Sequence, residues 1–290
     1  MSTFNKKLIK NLNEKEYIYL SELGKGTFGK IEKWFLQDNI YAIKEIYTSD
    51  TLERNKNVIN YVNKNIKNFN YVLFYKVEQY KNFYYYISPV LSYDFFDYFI
   101  YYNNSPNLNQ LLDIVHQLFL GINHLHDIGI IHGDLKMENI FIDKDTFQIK
   151  IADYDGSGLI PENIKVSMST RGIIPINVKK VRKLKQIDDI YSLAIIIISI
   201  FIDYNDKGPD YYYYNKIYNK KTRKLKLNID NNDVIWEGYI KKVFNRNYTK
   251  KLFKKKLEKK KLIINLLSNM IKLDRNKRLK SKELLEYIPL

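Results

Sequence analysis

The sequence predicts an α+β chain in which strands come first and helices follow. Three observations carry that prediction. Between Tyr17 and Ile87, short stretches of alternating apolar residues recur, the pattern of half-buried strands. From Leu111 the spacing becomes helical, with Leu111, Leu112, Val115, Leu118, Phe119, Ile122 and Leu125 on one face. The run Leu193–Ile202 is apolar all round, as in a helix buried on every side. With 290 residues and 45% hydrophobic content, the chain can bury one or two cores.

Residues 1–16 are polar and read as an arm. Tyr17–Leu20 reads as a first strand and leads into Gly24-Lys25-Gly26-Thr27-Phe28-Gly29-Lys30-Ile31. Glycines at this spacing let backbone N–H groups approach a phosphate without interference from a Cβ. A dinucleotide-binding fold would place a helix next, whereas Lys30–Phe35 alternates and reads as a second strand. The remaining alternative is an ordinary glycine-bearing hairpin. Tyr41-Ala42-Ile43-Lys44 is a third strand, and a lysine on a buried strand requires a partner. Thr51–Ile66 reads as a helix with Glu53 as its acid. Tyr71–Tyr75 and Phe83–Ile87 alternate as closing strands. Their tyrosines suit either a filled core or stacking on bases, and the strand pattern favours the core.

The chemistry concentrates in His132-Gly133-Asp134-Leu135-Lys136-Met137-Glu138-Asn139, ahead of a short apolar strand, Ile140–Ile142. Asp134 can accept a hydroxyl proton, Lys136 can neutralise a phosphoryl group and Asn139 can hold a metal ion. Phe147–Ala152 is strand-like and delivers Asp153-Tyr154-Asp155-Gly156. His124, His126 and His132 are close enough in sequence for a metal site, but they also fit a structural role around the loop.

Taken in this order, the pieces resemble the protein kinases over residues 17 to the end. The glycine stretch resembles the kinase phosphate loop, Tyr41–Lys44 the strand lysine motif, His132–Asn139 the catalytic loop and Asp153–Asp155 the metal-binding triplet. The resemblance implies a bilobal fold with an arm at 1–16, a small antiparallel-sheet lobe with one helix at 17–91 and a mostly helical lobe at 92–290. ATP would lie at Gly24, Lys25, Gly26, Thr27, Phe28, Gly29, Ile31, Ala42 and Lys44, the last on the α- and β-phosphates. Asp134 would be the base and Lys136 would steady the transferred group. Asn139 and Asp153 would hold Mg2+. His132 and Asp189 would support the loop, Asp189 by capping its backbone. Lys136 after Leu135 is the Ser/Thr form, so the implied activity is an ATP-dependent protein serine/threonine kinase.

The sequence departs from the family at several positions. Counting back from Asn68-Phe69-Asn70-Tyr71-Val72 puts Ile59 or Asn60 where the glutamate partner of Lys44 belongs, leaving Glu53 as the candidate. Gly133 replaces the arginine that reads an activation-loop phosphate, so activity should not wait for one. Asp155 replaces a glycine. Ile176 replaces the glutamate that joins the late arginine, here Arg278, whose partner is therefore missing or substituted. These departures keep a pseudokinase scaffold as the alternative. A small-molecule phosphotransferase of the aminoglycoside or choline kinase type is the lesser one.

The formal charge is +16, and residues 216–261 carry 17 Lys/Arg against 4 Asp/Glu. A basic surface there would dock an acidic protein substrate or nucleic acid. The competing reading is a solvated face written by A/T-rich codons, as in some parasites and large DNA viruses. The chain has no cysteine, which excludes disulfides. The N-terminal residues lack a signal-peptide apolar run, and Leu193–Ile202 is too short to cross a bilayer. The expectation is a monomer that does not engage membranes and works inside the cell, in cytoplasm or nucleus.

Overall fold

The computed structural model describes residues 17–26, 29–47, 50–80, 83–100, 106–159, 184–202, 218–219, 224–225 and 229–287. The chain divides into two compact units, Met1–Phe69 with Leu73–Ser92 and Asn70–Val72 with Tyr93–Leu290.

Among the described residues, the first unit is an antiparallel sheet of five strands with one helix. The strands are β1 (Ile18–Gly26), β2 (Gly29–Leu36), β3 (Asn39–Tyr47), β4 (Lys76–Tyr80) and β5 (Phe83–Pro89), in the order β1-β2-β3-β5-β4. Alternation sorts their side chains onto two faces. One face buries Tyr17, Trp34, Leu36, Ile43, Tyr85 and Ile87, with Tyr19, Tyr41 and Phe83 packed at the rim. Aromatic residues of this size suit a sheet because they cover several neighbours at once. In the β2–β3–β5 register, Lys44 lies between Ile31 and Tyr86, so these three share the opposite face. Helix α1 (Asp50–Asn65) buries Val58, Ile59 and Val62.

The strand expected over Tyr71–Tyr75 starts later, at Lys76. Tyr71 and Val72 belong instead to the second unit. The Tyr71 carbonyl accepts the Ile151 N–H at 2.9 Å, and Val72 makes a parallel bridge to Ile151. Apolar alternation identifies an extended segment without naming the strand that it will pair with.

The second unit is built on helices α2 (Phe95–Ile100), α3 (Leu108–Asp127), α4 (Gln186–Ile200), α5 (Ile229–Phe244), α6 (Asn247–Leu252), α7 (Leu257–Met270) and α8 (Ser281–Tyr287). Asn107 starts α3 with a capping box. Its side chain accepts the N–H of Asn109 and Gln110, and the Gln110 side chain accepts the N–H of Asn107. The predicted α3 face is buried, and α4 is buried almost all round. Short strands β6 (Tyr93–Asp94), β8 (Ile140–Ile142) and β9 (Ile149–Ile151) form one small sheet, and β7 (Ile130–Ile131) pairs with β10 (Gly158–Leu159). The last pair, β11 (Tyr218–Asn219) and β12 (Lys224–Leu225), stands apart. Among the described residues, no helix is long and apolar enough to cross a membrane.

Candidate active site

The loop His132–Asn139 leaves β7 and ends in a 3₁₀ turn, Met137–Asn139, just before β8. It lacks a ladder of its own, so its backbone groups need partners from elsewhere. Helix α4 supplies them. The Asp189 carboxylate accepts the N–H of His132 and of Gly133, each at 2.9 Å, and lies 3.0 Å from His126 Nε2. His132 Nε2 lies 3.0 Å from the Ala152 carbonyl. A carbonyl can only accept, so Nε2 carries the proton and Nδ1 is left to accept the Asp134 N–H at 3.4 Å. Of the three histidines that sequence alone allowed as metal ligands, His126 thus faces a carboxylate and His132 a carbonyl and a backbone N–H, while the His124 ring lies 6.1 Å from that of Tyr71.

Gly133 adopts φ +78, and a Cβ there would lie 2.7 Å from the Gly156 carbonyl oxygen. The two loops therefore approach backbone to backbone. Ser157 strengthens that approach by donating its hydroxyl to the His132 carbonyl at 2.9 Å, and β10 pairs with β7 just beyond.

Within the loop, Lys136 Nζ donates to Asp134 Oδ2 at 2.7 Å, and Asn139 Nδ2 donates to the Asp134 carbonyl at 2.9 Å. Asp134, Lys136 and Asn139 are therefore in mutual contact. Asp153 arrives from β9. The register sets Ile140 opposite Ile151, and the Ala152 N–H donates to the Asn139 carbonyl at 2.9 Å, so Asn139 and Asp153 leave adjacent strand ends. Asp153 sits at φ 61, a left-handed conformation that non-glycine residues seldom adopt. Tyr154 is buried edge-on to the His132 ring, and Asp155 is buried beside it. Asp94 gathers further acid beside the loop. Burial pushes its carboxyl above the ordinary range; the N–H groups of Asp97 and Phe96 oppose the push, while the charges of Asp97 and Glu138 add to it.

In the first unit, Gly24, Lys25 and Gly26 close β1 and pair with Ile31, Lys30 and Gly29 across the hairpin. Thr27 and Phe28 lie outside the described residues. Gly29 has a steric duty, since a Cβ there would lie 1.8 Å from the Glu45 carbonyl oxygen, whereas a Cβ at Gly24 would meet open space. Ala42 and Lys44 lie on one face of β3, opposite Ser88 and Tyr86 of β5.

Glu53, the expected partner of Lys44, is engaged elsewhere. Its carboxylate pairs with Lys56 at 2.5 Å and accepts the hydroxyl of Tyr84 on β5. Lys56 also donates to that hydroxyl at 2.9 Å and lies 4.6 Å from the centre of the ring. These contacts hold the Glu53 carboxyl below its ordinary range and raise Lys56.

The partner of Arg278 is Asp188, which sequence reasoning missed. Arg278 Nη1 donates to Asp188 Oδ1 at 3.0 Å, and Arg275 donates to both oxygens of the same carboxylate. Burial pushes the Arg278 guanidinium below its ordinary value, against the pull of Asp188. Ile176 lies outside the described residues. The available signal was the doublet Asp188-Asp189, whose neighbours on a helix point in different directions.

A sequence model of the protein kinase domain matches residues 17–288, and the chain belongs to that family. Among similar proteins, the probable serine/threonine-protein kinase fhkB of Dictyostelium discoideum is 30% identical over 53% of this chain and 14% of its own. A putative serine/threonine-protein kinase of Acanthamoeba polyphaga mimivirus is 27% identical over 68% of this chain and 36% of its own. A probable dual specificity protein kinase of Encephalitozoon cuniculi is 30% identical over 57% and 42%. The chain thus spans less than half the length of each of these relatives. A protein kinase domain implies ATP as the phosphoryl donor.

Proposed function

We propose that this chain is an active kinase that transfers the γ-phosphoryl group of ATP to serine or threonine hydroxyls of proteins. The observation that carries the reading is the contact of Asp134 with both Lys136 and Asn139. Asp134 orients the acceptor hydroxyl and receives its proton, and Lys136 neutralises charge on the group in transit. Lys44 contacts the α- and β-phosphates, and the backbone of Gly24–Gly29 covers them.

The residues fit a magnesium site by donor chemistry. The Asn139 amide nitrogen is turned to the Asp134 carbonyl, which leaves its oxygen for a cation, and Asp153 adds a carboxylate. Two hard oxygen donors, completed by phosphate and water, suit Mg2+. When bound, the ion supplies positive charge against the phosphate oxygens. With Glu53 held by Lys56 and Tyr84, α1 is tied to the sheet through a tyrosine.

The test is transfer of labelled γ-phosphate to the protein itself and to generic acidic and basic acceptor proteins, beside Asp134→Ala. The acceptor pair matters because Asp94, Asp97 and Glu138 gather negative charge near the loop, while 216–261 is basic. Loss of roughly a thousandfold or more in the mutant supports the reading. Equal, negligible transfer by both folded proteins sinks it. The engagement of Glu53 favours a binding scaffold as the second reading. Magnesium-independent nucleotide binding without turnover would select that reading.

A further inference from the structure

The second unit carries a lysine ridge that phosphoryl transfer does not use. It runs through α6, the turn after it and the first turn of α7. Residues 250–261 hold eight lysines and one glutamate, and the glutamate, Glu258, is already paired with Lys261. Among the described residues, Lys256 and Lys260 donate to the neutral side chains of Asn109 and Asn245, which do not offset their charge. Lys250, Lys251, Lys254, Lys255 and Lys259 are exposed. Exposed Lys241 and Lys242, at the end of α5, extend the field.

The ridge is rigidly mounted. Phe253 is buried within the turn, with its ring 5.6 Å from Phe244 and 5.9 Å from Phe201. The Thr249 hydroxyl donates to the Val243 carbonyl at 2.7 Å. Lys255 stands at φ 65, where a glycine would sit with less strain, so a charge is kept at the apex of the turn. Leu257 follows, 59% exposed amid the lysines. On α7 it shares a side with Lys260 and Lys261, three and four residues on.

We propose that this ridge docks an acidic protein segment bearing an apolar side chain that covers Leu257. Charge complementarity selects an anionic partner. Two features select protein over nucleic acid. Residues 250–261 contain no arginine fork, and their one aromatic ring, Phe253, is buried, so neither a guanidinium fork nor a stacking ring is offered there to bases. An exposed leucine amid the lysines would also face the most charged part of a nucleic acid. Insertion into a membrane would need more apolar surface than one leucine offers. The proposal does not depend on catalysis, so its failure and the failure of the kinase reading are separable.

The experiment is fluorescence anisotropy with the full chain and four probes at matched concentration. These are a labelled peptide rich in Glu and Leu, a Glu-rich peptide of equal charge without Leu, a single-stranded oligonucleotide, and anionic phosphatidylserine vesicles read by co-sedimentation. The first peptide should bind most tightly and should weaken as salt rises from about 50 to about 300 mM. Lys250→Glu/Lys254→Glu/Lys255→Glu should lose at least about tenfold in affinity. Leu257→Ser should lose a few-fold with the first peptide and nothing with the second. Lys64→Glu/Lys67→Glu, a charge change on exposed residues of the first unit, should leave binding unchanged. If the triple variant fails to fold, Lys250→Glu/Lys251→Glu on α6 replaces it. Tighter binding of oligonucleotide or vesicle, indifference to Leu257→Ser, or no detectable binding of the first peptide would each overturn the proposal.

Discussion

The two units each secure a functional element with a polar network, and the networks differ in depth. In the second unit, Asp189 holds the catalytic loop and Asp188 holds two arginines, with the two carboxylates 2% and 1% exposed. In the first unit, Glu53 ties α1 to β5 through Lys56 and Tyr84, and its side chain is 48% exposed. A buried charge that loses its partner cannot turn to water, whereas an exposed one can. The catalytic loop is therefore fixed and the helix is held loosely, so changes in the two places should cost very different amounts.

The largest effect is expected from Asp188→Asn. It leaves Arg278, whose side chain is fully buried, without its counter-ion, and Arg275 with a neutral acceptor. Loss of one partner of a buried pair typically costs about 3–5 kcal/mol, which urea unfolding would measure. Asp189→Asn should cost less, about 1–3 kcal/mol. The amide oxygen can still accept one of the two loop N–H groups, while the amide nitrogen faces the other as a second donor. Its activity should fall further than its stability, because the loop that carries Asp134 loses its anchor. If either variant unfolds like the parent chain, the contrast between the units fails.

Gly29→Ala comes next. A Cβ there would press on the Glu45 carbonyl of β3, and overpacking of this kind costs about 1–3 kcal/mol. Gly24→Ala meets open space and should leave stability nearly unchanged. Thermal melts of the pair would separate a glycine required by the sheet from one that packing does not require.

How much of this was legible in the sequence follows from how far apart the partners lie. Asp134, Lys136 and Asn139 fall within one short loop, so their spacing alone brought the chemistry together. The α3 face was legible because helical periodicity is local. Asp188 and Arg278 are 90 residues apart, and Glu53 and Tyr84 are 31 apart. No periodicity couples such positions. Nor does alternation reveal which strand an extended segment will join, and so Tyr71 and Val72 were assigned to the wrong sheet. The role of Gly29 against β3 was hidden behind the more familiar reading of glycines around a phosphate.

The smallest effects separate two glutamates of the first unit by the sign of their pH dependence. Glu53 is held below its ordinary value of 4.5 by its bonds to Lys56 and Tyr84, so its contribution is present above that value and lost as pH falls through the lowered one. Lys56 is raised above 10.5, so its share is lost only in strong alkali. Glu45 behaves oppositely. Burial pushes its carboxyl up, and Glu32 adds to the push while Tyr85 and Lys30 oppose it. Its charged form is disfavoured in the fold, so stability declines as pH rises from 4.5 through the raised value. Glu45→Gln should therefore raise the melting temperature at neutral pH by about 1–3 °C and lose that advantage in acid. Tyr84→Phe should lower it by a similar amount at neutral pH, and the loss should shrink in acid, where Glu53 no longer holds the hydroxyl. Hydrogen exchange should then increase in the first turns of α1 and leave the catalytic loop protected. Equal loosening of both would mean that the exposed link and the buried one do not act independently.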